Sequence, residues 1–165
     1  MTRLILVILL SAFTLSACGT TQATNGPGKG VFRIGVFEKR KIPFRVLDSV
    51  NALRQASGLQ AVELSAELNA AAATHSLDMS VQNRPWHFGS DGSSPIDRVA
   101  RTGYTGLMLG ENISETFESD VETLAAWMTE EATREVILHP DARFMGIAWH
   151  QEPNGKIWWT QVFGS

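Results

Sequence analysis

The 165-residue chain has one cysteine, Cys18. That excludes a disulfide framework, a Cys-x-x-Cys metal site and any cysteine nucleophile elsewhere. Excess positive charge is also missing. Fourteen Lys and Arg stand against 17 Asp and Glu, a formal charge of −3, so there is no basic field to hold nucleic acid. Two common catalytic signatures are absent as well. Ser90 lies in Gly-Ser-Asp-Gly and not in a Gly-x-Ser-x-Gly elbow. Gly106 and Gly110 have no strand before them and no lysine after them, so they do not form a phosphate-binding loop. There are no internal repeats. What is present is ordinary for a folded domain: 44% hydrophobic residues, 19% charged, five Trp and eight Phe. This length and composition fit one domain with one core.

The N-terminus has its own character. Arg3 precedes an apolar run from Leu4 to Leu10, and the nearly apolar stretch ends in Leu15-Ser16-Ala17-Cys18. The run is too short for a comfortable span of about 20 residues and reads as a secretory signal. Its four-residue ending resembles a bacterial lipobox, which implies cleavage before Cys18 and acylation of that cysteine. Gly19 after it favours the outer membrane if the host is Gram-negative. Gly19 to Gly30 is polar and glycine-rich, the composition of a tether. Val31 to Phe37 alternates enough for a short strand, and Glu38 to Lys41 reads as a solvated charged run. The expected organisation is a signal peptide over 1–17, a lipidated N-terminus with tether and lead-in over 18–43, and a domain over 44–165.

Within the domain, Val46, Val50 and Leu53 recur at helical spacing after Pro43, with Gly58 past the end. Ser65 can N-cap a second helix that places Leu68, Ala72, His75 and Met79 on one face, so His75 reads as a core histidine bonded to backbone or water. Pro85 ends that helix and a polar loop carries His87 to Ser93. Ser94 and Pro95 start a short helix that Gly103 can close. Ser119-Asp120-Val121-Glu122 is a capping box opening a helix with Val121, Leu124, Ala125 and Met128 inward, and with Trp127 and Glu130 able to share a side. Arg143 to His150 and Lys156 to Phe163 read as strands joined through Pro153-Asn154-Gly155. Helices first, a hairpin last and no βαβ alternation give an α+β domain.

Several fragments fit together in order: His87-Phe88 with Asp91-Gly92, Arg98 with Gly103-Tyr104, Gly110-Glu111-Asn112-Ile113, Trp127-Met128, Arg134 with Ile137-Leu138, Gly146-Ile147-Ala148, and Trp159-Thr160-Gln161-Val162-Phe163. Over about Val46 to Phe163 the chain resembles the bacterial branch of the CAP superfamily, the SCP-like extracellular domains. The resemblance implies an α-β-α sandwich with a central antiparallel sheet between helical layers. Carried over position by position, it places the first cleft histidine on His87, the first acid on Glu111 and the second acid on Glu130. The second family histidine falls on Thr133, a departure.

These residues allow three roles. His87 flanked by Glu111 and Glu130 can serve as a general base. The three can ligate a divalent metal such as zinc, with affinity weakened by the imidazole missing at Thr133. They can also form a hydrogen-bonded network that holds the loop. His139 and His150 read as exposed loop and strand-end residues. The four residues Trp86, Trp149, Trp158 and Trp159 could stack on sugars, although strand alternation assigns at least half of them to the core. Two functions follow. One is a non-catalytic envelope lipoprotein that binds a ligand or protein through this cleft, with the membrane as partner through the lipid on Cys18. The other is a metal-assisted or general-base hydrolase of envelope peptide, ester or peptidoglycan bonds.

Overall fold

The computed structural model describes residues 32–115 and 119–165, all within one compact unit, Val31–Ser165. The expected signal segment, Cys18 and the tether lie outside the described residues. The elements are α1 Val36–Ala56, β1 Glu63–Leu64, α2 Ala66–Gln82, α3 Pro95–Arg101, β2 Met108–Glu115, α4 Asp120–Thr129, α5 Glu131–Ile137, β3 Phe144–Gln151 and β4 Ile157–Gly164.

One four-stranded sheet, ordered β1-β3-β4-β2, divides the domain. Strand periodicity sorts its side chains into two cores. Met145, Ile147, Trp159 and Phe163 point to one face, where they meet Ile42, Val46 and Val50 of α1, Leu124 and Trp127 of α4 and Ile137 of α5. Ala148 and Val162 point to the other face, against Leu68, Ala71 and Ala72 of α2 and Val99 of α3. The architecture is the expected α-β-α sandwich, but its sheet is mixed. β2, β3 and β4 are antiparallel, whereas two-residue β1 runs parallel to β3. The chain passes through α2, α3, β2, α4 and α5 before β3, and that excursion returns it beside β1 in the same direction.

Capping signals place most boundaries. Ser65 accepts from the Leu68 N–H at the start of α2, and Ser94 with Asp97 closes a reciprocal capping box on α3, with Pro95 at its first position. Ser119 caps α4 through the Glu122 N–H. The inward face of α4 is Asp120, Thr123, Leu124 and Trp127, however, and Val121 and Ala125 are exposed. The cap fixes where the helix begins, whereas Trp127 on the core and Asp120 on Arg45 (Nε–Oδ2 2.8 Å) set its rotation.

The start of the domain also differs from the sequence reading. Instead of a strand leading to a loop, residues 36–41 form the first turns of α1, with Lys39, Arg40 and Lys41 exposed as the charged run implies, and Pro43 sits inside the helix. Ile34 and Ile42 belong to the core, so burial of their side chains outweighs the hydrogen bond that Pro43 cannot donate. At the other end of α1, Arg54 is fully buried and donates to four carbonyls: Gln60 O (2.8 Å), Ile137 O (2.9 Å), His139 O (3.0 Å) and Ala142 O (3.2 Å).

The closest approach of helix to sheet is at Gly146. A Cβ there would collide with the Leu68 and Asn69 backbone, so glycine is what lets α2 lie flat on β3. Gly146→Val should lower stability by about 3 kcal/mol or prevent folding. Chemical denaturation checks this, and a variant with wild-type stability would show that α2 packs otherwise.

Candidate functional site

The site forms where α2, the loop after it, α3 and β2 converge on the α2 side of the sheet. α2 stops at Asn83, whose left-handed conformation (φ 49°) turns the chain outward. The next residues are pinned to the helix they have just left. Trp86 Nε1 donates to Gln82 Oε1 (2.7 Å), and the Arg84 guanidinium lies 3.9 Å over the indole ring. Asp78 receives the N–H (2.7 Å) and hydroxyl (2.6 Å) of Ser90. Gly89 turns where a Cβ would press on Asp91 and Ser93. His87 is therefore presented by a loop held on both sides.

The centre is Glu111 on β2, whose side chain is only 2% exposed. Burying a carboxylate is costly unless charge and hydrogen bonds compensate it, and both of its oxygens are engaged. Oε1 lies 3.0 Å from His87 Nδ1, and Oε2 lies 2.7 Å from Nη2 of Arg98, itself buried on α3. The same Nη2 lies 3.3 Å from the His87 carbonyl, so Arg98 fixes the acid and the backbone of the histidine together. In the neutral ring, Nδ1 of His87 carries the proton because it faces a carboxylate, and Nε2 is then the acceptor, on a ring that is 48% exposed.

His75 lies directly beneath. It is fully buried, Nε2 donates to the Trp86 carbonyl (2.9 Å), and the same nitrogen is 3.7 Å from Glu111 Oε1. It is a core histidine bonded to backbone, as its helical position implies, yet it also touches the acid of the site. Burial, aided by nearby Arg98, pushes its pKa below the ordinary value, with Glu111 opposing.

The structure thus joins two of the three expected residues. Glu130 lies at the break between α4 and α5, exposed and N-capping α5 through its backbone. Among the described residues no hydrogen bond or ion pair links its carboxylate to His87 or Glu111. Thr133, at the position of the second family histidine, gives its hydroxyl to the Trp127 carbonyl (2.6 Å), and its own carbonyl accepts from Asn112 (2.9 Å). The expected metal set of His87, Glu111 and Glu130 does not fit. Among the described residues no three His, Asp or Glu are placed to hold an ion, and the carboxylate best placed to ligate one is already neutralised by Arg98.

Sequence reasoning gave Arg98 no role and set His75 apart. Nothing in the sequence marked Arg98 as the partner of Glu111: the stretch bracketed by Gly106 and Gly110 reads as an apolar turn, whereas it opens β2, and Glu111 demands a cation only because that strand buries it. The tryptophans do not make a sugar platform in the hairpin. Trp158 and Trp159 are fully buried, and Trp149 stacks against Trp159 at 5.3 Å. His139 is a loop residue, its Nδ1 accepting from the Asp141 N–H (3.3 Å).

A mixed sheet between two helical layers, with a histidine and a buried acid at the edge strand, defines an SCP-type sandwich of the CAP class. Residues 47–163 match the family model for CAP, the cysteine-rich secretory protein family, and the chain belongs to that family. It is 29% identical over 148 residues to the Bacillus subtilis (strain 168) protein YkwD, covering 90% of this chain and 55% of that one, so it spans about half the length of that relative. A Bacillus anthracis extracellular protein containing an SCP domain shares the fold (TM-score 0.70, 22% identity, 77% of this chain and 41% of that one). So does an outer surface protein of Borrelia burgdorferi (TM-score 0.70, 17% identity, 80% and 96%).

Because the folded-state pKa of His75 lies below its ordinary 6.5, the unfolded chain takes up this proton first as pH falls. The contribution of His75 to stability should be complete above that value, decline as pH drops through it, and level off below the folded-state value. Melting temperature against pH should show this slope in the wild type and a flatter profile in His75→Gln. Parallel profiles would refute the assignment.

Proposed function

We propose that the domain is a non-catalytic binding module of the cell envelope, displayed on a lipid-anchored N-terminus, and that its ligand contacts the cleft at His87. The engagement of both Glu111 oxygens carries this reading. The Glu111–Arg98 pair is electrically neutral and holds the imidazole in one orientation, which leaves Nε2 to accept an N–H or O–H from a ligand. Among the described residues no hydroxyl is hydrogen-bonded to His87, so no activated nucleophile accompanies it. Structural neighbours described as an extracellular protein and an outer surface protein support the envelope location. The Leu-Ser-Ala-Cys segment before Gly19 supports the anchor.

The hydrolase reading draws on one observation, the 3.0 Å contact of His87 Nδ1 with Glu111, which orients the ring as a base would require. Glu130 and a metal have no part in that reading. A general base acting through Nε2 on water is what the residues would supply.

The two readings separate in one set of assays. The chain from Gly19 onward, incubated with isolated peptidoglycan and with p-nitrophenyl acetate, should release no product beyond that of His87→Ala. The variant should remain folded but lose about 1–3 kcal/mol, because it removes the 3.0 Å partner of buried Glu111 Oε1 while Arg98 stays in place. A loss of at least about a hundredfold in turnover on His87→Ala would establish the hydrolase instead. In elemental analysis, purified wild-type chain should hold less than stoichiometric zinc. Stoichiometric zinc that survives desalting would overturn the charge balance assigned to Glu111.

A further inference from the structure

The helix that enters the domain first carries a surface that neither the fold nor the cleft uses. α1 buries Ile42, Val46, Val50 and Arg54. At 100° per residue, the side directly opposite them in its first half holds Phe37, Arg40, Lys41 and Phe44, spaced i, i+3, i+4 and i+7. Phe37 is 78% exposed and Phe44 62%. Val36 and Phe32 beside them are exposed too, and so are Arg33, Lys39, Arg40 and Lys41. A folded domain does not ordinarily leave aromatic side chains outward at the centre of a polar helix face, and their company here is cationic.

Charge is divided sharply at this helix. Residues 32–45 hold five Lys or Arg and one Glu, whereas residues 46–165 hold seven Lys or Arg and 16 Asp or Glu. The single acid, Glu38, is 3.0 Å from Arg45 and reaches Lys41 only at 3.5 Å, and Arg45 is already paired with Asp120 at 2.8 Å. The patch is thus a positive, aromatic end on an otherwise acidic body. Its position along the chain adds a second argument. Thirteen residues lie between Cys18 and Phe32, a contour of at most about 45 Å. A bilayer holding Cys18 would stay within reach of this end of α1.

We propose that the Phe37, Arg40, Lys41 and Phe44 face of α1 docks on an anionic phospholipid surface, with the phenylalanine rings at the headgroup boundary and the cations on lipid phosphates. Lone cations or lone aromatics would bind such a surface weakly, but alternating them on one helix face adds electrostatic attraction to apolar burial. The biological setting rests on the anchoring proposed above, since a short tether makes docking intramolecular and raises the effective lipid concentration. α1 and the His87 cleft lie on opposite faces of the sheet, so a docked domain would turn its cleft away from the bilayer.

The test uses the chain from Gly19 onward, which retains the whole compact unit and carries no lipid, so docking is read apart from anchoring. Co-sedimentation with vesicles of equimolar phosphatidylglycerol and phosphatidylcholine at low salt should show binding, with little on phosphatidylcholine alone. Arg40→Gln with Lys41→Gln should weaken it about tenfold, and Phe37→Ser with Phe44→Ser by at least as much. All four side chains are outside the core, so near-UV circular dichroism should be unchanged. Absence of binding, equal binding to both vesicle types, or binding indifferent to the substitutions would overturn the proposal. So would a Phe44-dependent dimer in sedimentation that leaves vesicles unbound. The mass of the N-terminal peptide from membrane fractions reports separately on acylation of Cys18.

Discussion

A carboxylate buried on an edge strand sets the terms for half of this molecule. Glu111 is part of β2, paired with Val162 of β4, and cannot leave without unzipping that edge. An uncompensated charge at such depth would destabilise the fold by several kcal/mol. The compensation comes from two other elements, Arg98 from α3 and His87 from the loop, while His75 of α2 packs beneath at 3.7 Å. The capping box on α3 and the bonds from Ser90 to Asp78 then appear as parts of one requirement. They place the groups that make the buried acid tolerable. A side effect is that an exposed imidazole is held in a single orientation.

The same economy explains why the site is smaller than its residues suggest. Glu130 and Thr133 flank the turn between α4 and α5, where backbone groups at two helix ends need partners. Thr133 spends its hydroxyl on the Trp127 carbonyl, and Glu130 serves through its backbone as the cap of α5. A second imidazole at position 133 would have a different use. In this chain the position has been given to joining two helices.

Much of this was legible in the residues. Ser65, Ser94 and Ser119 announce three helix starts because a capping side chain acts within four residues of itself, and Pro153-Asn154-Gly155 announces the hairpin for the same local reason. The pairing of His87 with Glu111 came from a family pattern, which encodes long-range contact that no local rule contains. What stayed hidden was decided by tertiary context. The rotation of α4 depends on Arg45 meeting Asp120, 75 residues apart. The early start of α1 depends on a core that accepts Ile34 and Ile42. The parallel placement of β1 depends on where five later elements return the chain. Arg98 and His75 were hidden differently: each was visible as a residue, but its role exists only once Glu111 is known to be buried.

The four carbonyls gathered by Arg54 have a mechanical meaning. A pull on the N-terminus first meets residues 32–34, tied to the β3–β4 hairpin through Gln151 and the Glu152 and Pro153 carbonyls, and only then α1. The far end of that helix is locked by a guanidinium to the loop after it and to the chain leaving α5. The segment before α1 and the residues after it are thus each fastened to a different part of the domain, so the helix cannot come away at either end without breaking several hydrogen bonds at once.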